Sequence, residues 1–99
     1  MLRSKLAPGV RCALEHGGAA PAILTPSADL ETAVPALVKG GYYHAGQVCV
    51  SVQRVYVPNA QKQALIDLLL PAIAKLGVGD PQDDTVDVGP LIRPAEVDR

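Results

Sequence analysis

Apolar residues along this chain change their spacing several times, and each change predicts an element. Leu30, Val34, Leu37, Val38 and Gly41 recur at steps of four, three, one and three, the spacing of one helix face. Ser27 is placed to cap that helix, with Asp29 and Glu31 near its positive end. Pro35 falls early enough to kink the helix rather than abolish it, and Gly40-Gly41 ends or loosens it. A second helical face, Leu65, Leu68, Leu69, Ala72, Ile73 and Leu76, follows Asn59 as its candidate cap, and Pro71 is expected to bend it. Between the two, Val52 to Val57 alternates as a strand does and is closed by Pro58-Asn59. Val10 to Leu14 and Ala20 to Leu24 read as further short strands. The Gly17-Gly18 break between them suits a hairpin, although Glu15 and His16 are odd choices beside a simple turn. Residues 2–6 look like the end of a helix stopped by Pro8-Gly9, and from Gly77 onward the chain reads as loop. Helix end, strand, strand, helix, strand, helix, loop is an α/β order.

With 99 residues, the chain has room for at most one small domain. Its apolar fraction of 48% is too high, and its net charge of −1 too small, for a disordered chain. The core must be built from Ala, Val, Leu and Ile, because Phe and Trp are absent. These apolar faces need partners that the chain does not contain, so it reads as cut at both ends. A near-neutral balance argues against a nucleic-acid module. The longest apolar stretch, Leu68 to Ala74 with Pro71 inside it, falls far short of a membrane span, and no signal-peptide pattern follows Met1. Two cysteines, Cys12 and Cys49, are too few to staple a secreted mini-protein, which points to a reducing, cytoplasmic setting. Charge is unevenly placed: Asp80, Asp83, Asp84, Asp87, Glu96 and Asp98 follow Gly77 against only Arg93 and Arg99. This acidic end reads as a solvated loop, with a partner-binding segment as the alternative.

Three runs carry candidate chemistry: Glu15-His16-Gly17-Gly18, Gly46-Gln47-Val48-Cys49-Val50-Ser51, and Asp87-Val88-Gly89-Pro90-Leu91-Ile92. Taken singly, each has a plain structural reading. A Gly-Gly pair is usually a turn, a Cys between valines is usually a buried small hydrophobe, and a Glu at a strand end is usually solvated. Together they carry more. A carboxylate at a strand-to-loop junction and a thiol at a helix-to-strand junction converge when both loops open on one side of a sheet. There, Cys49 is a candidate nucleophile with backbone N–H groups near it, and Glu15 a candidate general base.

Glu15-His16-Gly17-Gly18, followed 34 positions after Glu15 by Cys49 within Gly46-Gln47-Val48-Cys49, resembles the NAD(P)-dependent aldehyde dehydrogenase superfamily. That family carries Glu-Leu-Gly-Gly and Gly-Gln-x-Cys motifs at this spacing. Asp29-Leu30-Glu31, the Gly79-Asp80-Pro81 turn and Asp87-Val88-Gly89-Pro90-Leu91-Ile92 match its further landmarks in order. The resemblance implies that Cys49 attacks an aldehyde to give a thiohemiacetal, which NAD or NADP oxidises to a thioester. It implies that Glu15 activates the water that hydrolyses the thioester, and that the Cys49 N–H forms half of an oxyanion hole. His16 and Gly17 would lie with their backbone against the nicotinamide end of the cofactor. No metal is implied. The substrate would be a small aldehyde, and the full-length form a homodimer or homotetramer. Retention of Glu15 favours hydrolysis over acylation of coenzyme A.

The implied architecture is a partial aldehyde dehydrogenase fold. Residues 1–15 would end the Rossmann-like cofactor domain, and residues 16–99 would begin the catalytic α/β domain. His16 stands where the family usually has Leu, and Ala19 where it has Asn or Lys. His16 reads as a packed side chain with its backbone in use, or else as a group that tunes charge near the cofactor. Cys12 reads as a core position, His44 as a helix-end residue, and Tyr42 and Tyr43 as channel lining or core. The family's Gly-rich cofactor turn and its oxyanion-hole Asn lie outside these residues, so the isolated 99-mer is expected to be inactive. The alternative reading is a non-catalytic remnant or interaction subunit derived from such an enzyme.

Overall fold

The computed structural model describes residues 2–98. Two strands and two helices carry it: β1 (Ala20–Ile23), α1 (Leu30–Tyr42), β2 (Val52–Tyr56) and α2 (Lys62–Ala74). Single 3₁₀ turns lie at Leu2–Lys5, Tyr43–Gly46, Asn59–Gln61 and Pro94–Glu96. β1 and β2 pair in parallel, with Ala20 opposite Val52, Ile23 opposite Tyr56, and an irregularity between Ala20 and Pro21. Parallel neighbours need a long crossover, which α1 supplies, so the centre of the molecule is a βαβ unit.

Val10 to Leu14 forms no strand, and no hairpin exists at Gly17-Gly18. The neighbour that β1 finds is β2. A lone alternating run then has no ladder for its N–H and C=O groups, and Val10 and Leu14 stay 53% and 47% exposed. Cys12 is correspondingly exposed rather than a core residue. The expected helix tail is one 3₁₀ turn that already ends at Lys5, before the Pro8-Gly9 break, where Gly9 has φ +86°.

α1 is capped by Asp29, not Ser27. One carboxylate oxygen accepts from the Glu31 N–H at 3.1 Å and the other from the Thr32 hydroxyl at 2.5 Å. The Thr32 hydroxyl, with the Glu31 N–H, holds the Asp29 carboxyl below its ordinary value. Ser27 Oγ lies instead 3.1 Å from Thr25 Oγ1. Asn59 likewise does not cap α2; it opens the 3₁₀ turn that leads into that helix. Both helices run on through their prolines, Pro35 and Pro71. Each proline lacks the N–H that would reach the carbonyl four residues earlier, on Glu31 and Asp67.

The core is small. Val34, Leu37 and Leu65 are buried, with Ala22, Leu24, Val38, Val52, Val55, Leu69 and Ala72 packed around them. Leu65, Leu69 and Ala72 form the stripe of α2 that meets α1, whereas Leu68 is left exposed. Ile23 and Tyr56, opposite one another on the sheet, are exposed. The radius of gyration is 17.9 Å, against about 13 Å for a compact domain of this length. Among the described residues, no helix is long and apolar enough to cross a membrane.

After α2 the chain folds back on itself. Val78 and Val88 form a parallel bridge, and the Asp87 carboxylate accepts from the Gly77 N–H at 2.9 Å. Asp80 accepts from the Gln82 N–H, and Asp83 from the N–H and hydroxyl of Thr85. The Thr85 N–H, followed by its hydroxyl, keeps the Asp83 carboxyl below its ordinary value. Asp80, Asp83 and Asp87 are exposed, as a solvated loop requires, and each organises its own turn.

Candidate active site

The thiol loop is built from the end of α1. After Tyr42 the chain enters a turn in which His44 (φ +50°, ψ +39°), Ala45 (φ +56°, ψ +31°) and Gly46 (φ +73°) are left-handed in succession. That region costs a non-glycine residue about 1–2 kcal/mol, so it persists only where neighbours hold it. Two contacts do so at its carbonyl end: the Gln47 N–H and side-chain Nε2 both donate to the His44 carbonyl, at 3.1 and 3.2 Å. Ser51, only 3% exposed, donates its hydroxyl to the Gly40 and Gly41 carbonyls, 3.3 and 3.2 Å away. The Ser51 N–H closes the loop onto the Val48 carbonyl at 3.0 Å. Cys49 and Val50 therefore form the tip of a tethered turn. The Cys49 thiol is free and exposed, and its N–H makes no hydrogen bond among the described residues.

Parallel pairing brings the second motif to this loop. Glu15 to Gly18 enters β1 beside the point where Cys49 enters β2, because Ala20 and Val52 are register partners. Gly18 lies directly on the thiol loop. A Cβ built on it would overlap the Cys49 carbonyl oxygen, 3.1 Å from the carbonyl carbon and 3.6 Å from Cα. The Gln53 side chain donates to the Gly18 carbonyl at 3.3 Å from the adjacent strand. Gly17, at φ +102°, has open space where a Cβ would stand. The two glycines thus serve different needs, one a conformation and the other a close approach.

Both segments sit at the amino ends of their strands, whereas the sequence places Glu15 after a strand. Gly18 still meets the Cys49 loop because β1 and β2 run the same way. Glu15 and His16 are exposed, and neither side chain makes a hydrogen bond among the described residues. His16 is therefore not packed. His44 lies two residues past the end of α1, in the left-handed turn, with its ring 3.9 Å from that of Tyr43.

Tyr42 and Tyr43 are surface residues, not core. Both border a cavity of about 400 Å³ between α1 and α2, with Pro35, Val38, Ala72 and Val88 among its walls. Tyr43 also borders a cleft of about 320 Å³ whose other walls include Lys39, Val48, Val50 and Ser51. Of the two, the smaller cleft is the one formed by the thiol loop. In the sequence Gln47 and Ser51 stand out only by their place in a motif. Nothing in local spacing announces that Ser51 reaches back to α1, or that Gln47 reaches Ile92, 45 residues away.

An exposed thiol thus stands before one strand, and the Gly18 end of the Glu-His-Gly-Gly run meets its loop from the parallel neighbour. The chain belongs to the aldehyde dehydrogenase family, whose description it matches over residues 2–99. It is 43% identical over 91 residues to lactaldehyde dehydrogenase of Methanocaldococcus jannaschii, covering 92% of this chain and 20% of that protein. It is 40% identical over 100 aligned positions to 3-sulfolactaldehyde dehydrogenase of Priestia megaterium, covering 100% of this chain and 20% of the relative. Succinate-semialdehyde dehydrogenase from Burkholderia pseudomallei superposes with a TM-score of 0.81 at 39% identity, over 86% of this chain and 18% of that one. Aldehyde dehydrogenase C from Pseudomonas syringae, a mutant crystallised with NAD+ and octanal, gives 0.79 at 32% identity, over 84% and 17%. The fold is thus part of the aldehyde dehydrogenase α/β fold, and the chain spans about a fifth of the length of the curated relatives it matches.

Proposed function

We propose that these residues supply the nucleophile and general base of an NAD(P)-dependent aldehyde dehydrogenase. Cys49 Sγ bonds to the aldehyde carbon to give a thiohemiacetal. NAD(P)+ supplies the two-electron acceptor when bound. Oxidation leaves an acyl thioester on Cys49; Glu15 then takes a proton from water, the water oxygen bonds to the acyl carbon, and the C–S bond breaks to release the acid and the thiol. The unbonded Cys49 N–H is free to receive the developing oxyanion. Gly17 fits the cofactor, since its exposed backbone has open space beside it where a planar ring can approach; His16 and Gly17 would hold the nicotinamide end. Residues 1–15 are assigned to the end of the cofactor domain and 16–99 to the start of the catalytic domain, within a homodimer or homotetramer in the cytoplasm. The small core and wide radius agree with a site that this stretch does not complete alone.

The observation that carries the reading is the contact of Gly18, three residues on from Glu15, with the Cys49 backbone. The deciding experiment is iodoacetamide labelling of the polypeptide as the cell makes it, with Cys12, also exposed, as internal reference. Cys49 is expected to label first, with aldehyde oxidation falling in step with its occupancy. Equal labelling of both thiols, with activity intact, would favour the non-catalytic descendant instead.

The same contact predicts the effect of Gly18→Ala. The atoms in the way are backbone, so the thiol loop itself must move. A displacement of about 1 Å at a reacting group costs about 10²-fold in rate, and overpacking of this kind costs about 1–3 kcal/mol of stability. Steady-state kinetics and a thermal melt measure both. A variant matching wild type in each would show that the approach is not tight.

A further inference from the structure

Gln47 connects the thiol loop to a part of the chain for which the proposed chemistry has no use. Its side-chain amide is satisfied in both senses. Nε2 donates to the His44 carbonyl at 3.2 Å, and Oε1 accepts from the Ile92 N–H at 2.9 Å. The first bond grips the left-handed turn His44–Gly46, the strained part of the loop. The second grips the Asp87–Ile92 run, which is itself fixed at its other end. There, the Val88 N–H donates to the Gly77 carbonyl, the Gly79 N–H donates to the Val88 carbonyl, and Val78 and Val88 bridge in parallel. Just beyond Ile92, an Arg93–Glu96 ion pair at 2.7 Å fixes the following turn.

Two tethers other than Gln47 act on the same loop. Ser51 holds its β2 side to α1, and Gly18 packs against Cys49 itself. Ser51 also closes onto the Val48 carbonyl, but neither of these tethers reaches the Leu91–Ile92 segment, which Gln47 does. We infer that Gln47 is a positioning residue: it sets the Cys49 thiol by tying the turn before it to the Leu91–Ile92 segment, and through that segment to the end of α2. This rests on the reading of Cys49 as nucleophile. Only a planar amide suits the position as built, since it must donate to a carbonyl at one end and accept from an N–H at the other. Met keeps the length and loses both bonds. Glu keeps the length and the acceptor for Ile92, loses the donor, and sets a carboxylate against the His44 carbonyl.

The test uses the polypeptide as the cell makes it, with Gln47→Met and Gln47→Glu. It measures kcat and KM for aldehyde oxidation, iodoacetamide labelling of Cys49 relative to Cys12, and the thermal midpoint. For Gln47→Met the expected result is a fall in kcat of about 10- to 100-fold, with KM within about twofold of wild type. The labelling ratio of Cys49 to Cys12 should fall several-fold, with Gln47→Glu intermediate or equal to Met in both readouts. A merely structural role would lower the thermal midpoint and leave kcat and the labelling ratio of the folded fraction alone, and that result overturns the inference. Should Gln47→Met fail to fold, a folded Gln47→Glu with wild-type kcat and labelling overturns it equally. If wild-type Cys49 labels no faster than Cys12 and labelling spares activity, the nucleophile reading itself has failed and takes this inference with it. If Cys49 is the nucleophile and the Gln47 variants match wild type, the inference fails alone.

Discussion

Cys49→Ala is expected to remove aldehyde oxidation, and any ester hydrolysis that uses the same thiol, by at least about 10⁴-fold. Among the described residues, neither the Ser51 hydroxyl nor the Cys12 thiol stands ready to replace it. The Ser51 hydroxyl is buried and donated to the carbonyls at the end of α1. Cys12 lies on the irregular segment before β1 with its Sγ turned to the Ala13 carbonyl. The substitution is also structurally mild, because the thiol is exposed and makes no hydrogen bond among the described residues. Its effect on stability should stay within about 0.5 kcal/mol. A Cys49→Ala protein that melts with wild type and forms no reduced cofactor from aldehyde would therefore report chemistry alone. Retention of more than about 1% of wild-type kcat would exclude Cys49 as the nucleophile.

Why the candidate motifs could be picked out from sequence, while part of the fold could not, follows from which interactions are local. α1, β2 and α2 were legible because their apolar spacing reports a face, and that face is buried at Val34, Leu37 and Leu65 and half-buried at Val55. Val10 to Leu14 shows that alternation is necessary and not sufficient. A strand exists only with a neighbour, and the neighbour available to β1 lies beyond α1. The exchange of Ser27 for Asp29 as helix cap has a similar cause. Both residue types can cap, and the choice fell to the one whose second carboxylate oxygen also meets the Thr32 hydroxyl.

The motifs themselves were legible because they depend on residue type at short range, and their meeting followed from a single topological fact, the parallel order of β1 and β2. What stayed hidden was how the thiol loop is held. His44 and Ala45 are ordinary residues in a conformation that favours glycine, and no composition rule announces that. The tethers that hold the loop, Ser51 to Gly40 and Gly41 and Gln47 to Ile92, join residues that are distant in sequence. Strained loops near reacting groups are where local rules are expected to fail, because the strain is offset from elsewhere in the fold.

Glu15→Gln separates the two halves of the proposed reaction. The side chain is exposed, on a stretch that makes no backbone ladder until Ala20, so its loss should leave the fold intact. Gln keeps the shape and cannot accept the proton from water. Formation of the thioester does not use Glu15, whereas hydrolysis does. Mixing the variant with excess NAD(P)+ and aldehyde should therefore give a rapid burst of reduced cofactor, up to one equivalent per Cys49. A steady state slower than wild type by about 10²–10⁴-fold should follow, the range expected for a lost general base. Added hydroxylamine, a nucleophile that needs no such base, should raise that steady state by cleaving the thioester directly. A variant that loses the burst and the steady state together would place Glu15 in the first half-reaction. A variant with both at wild-type rates would remove it from the mechanism, leaving the Glu-His-Gly-Gly run with only the packing role that Gly18 already performs.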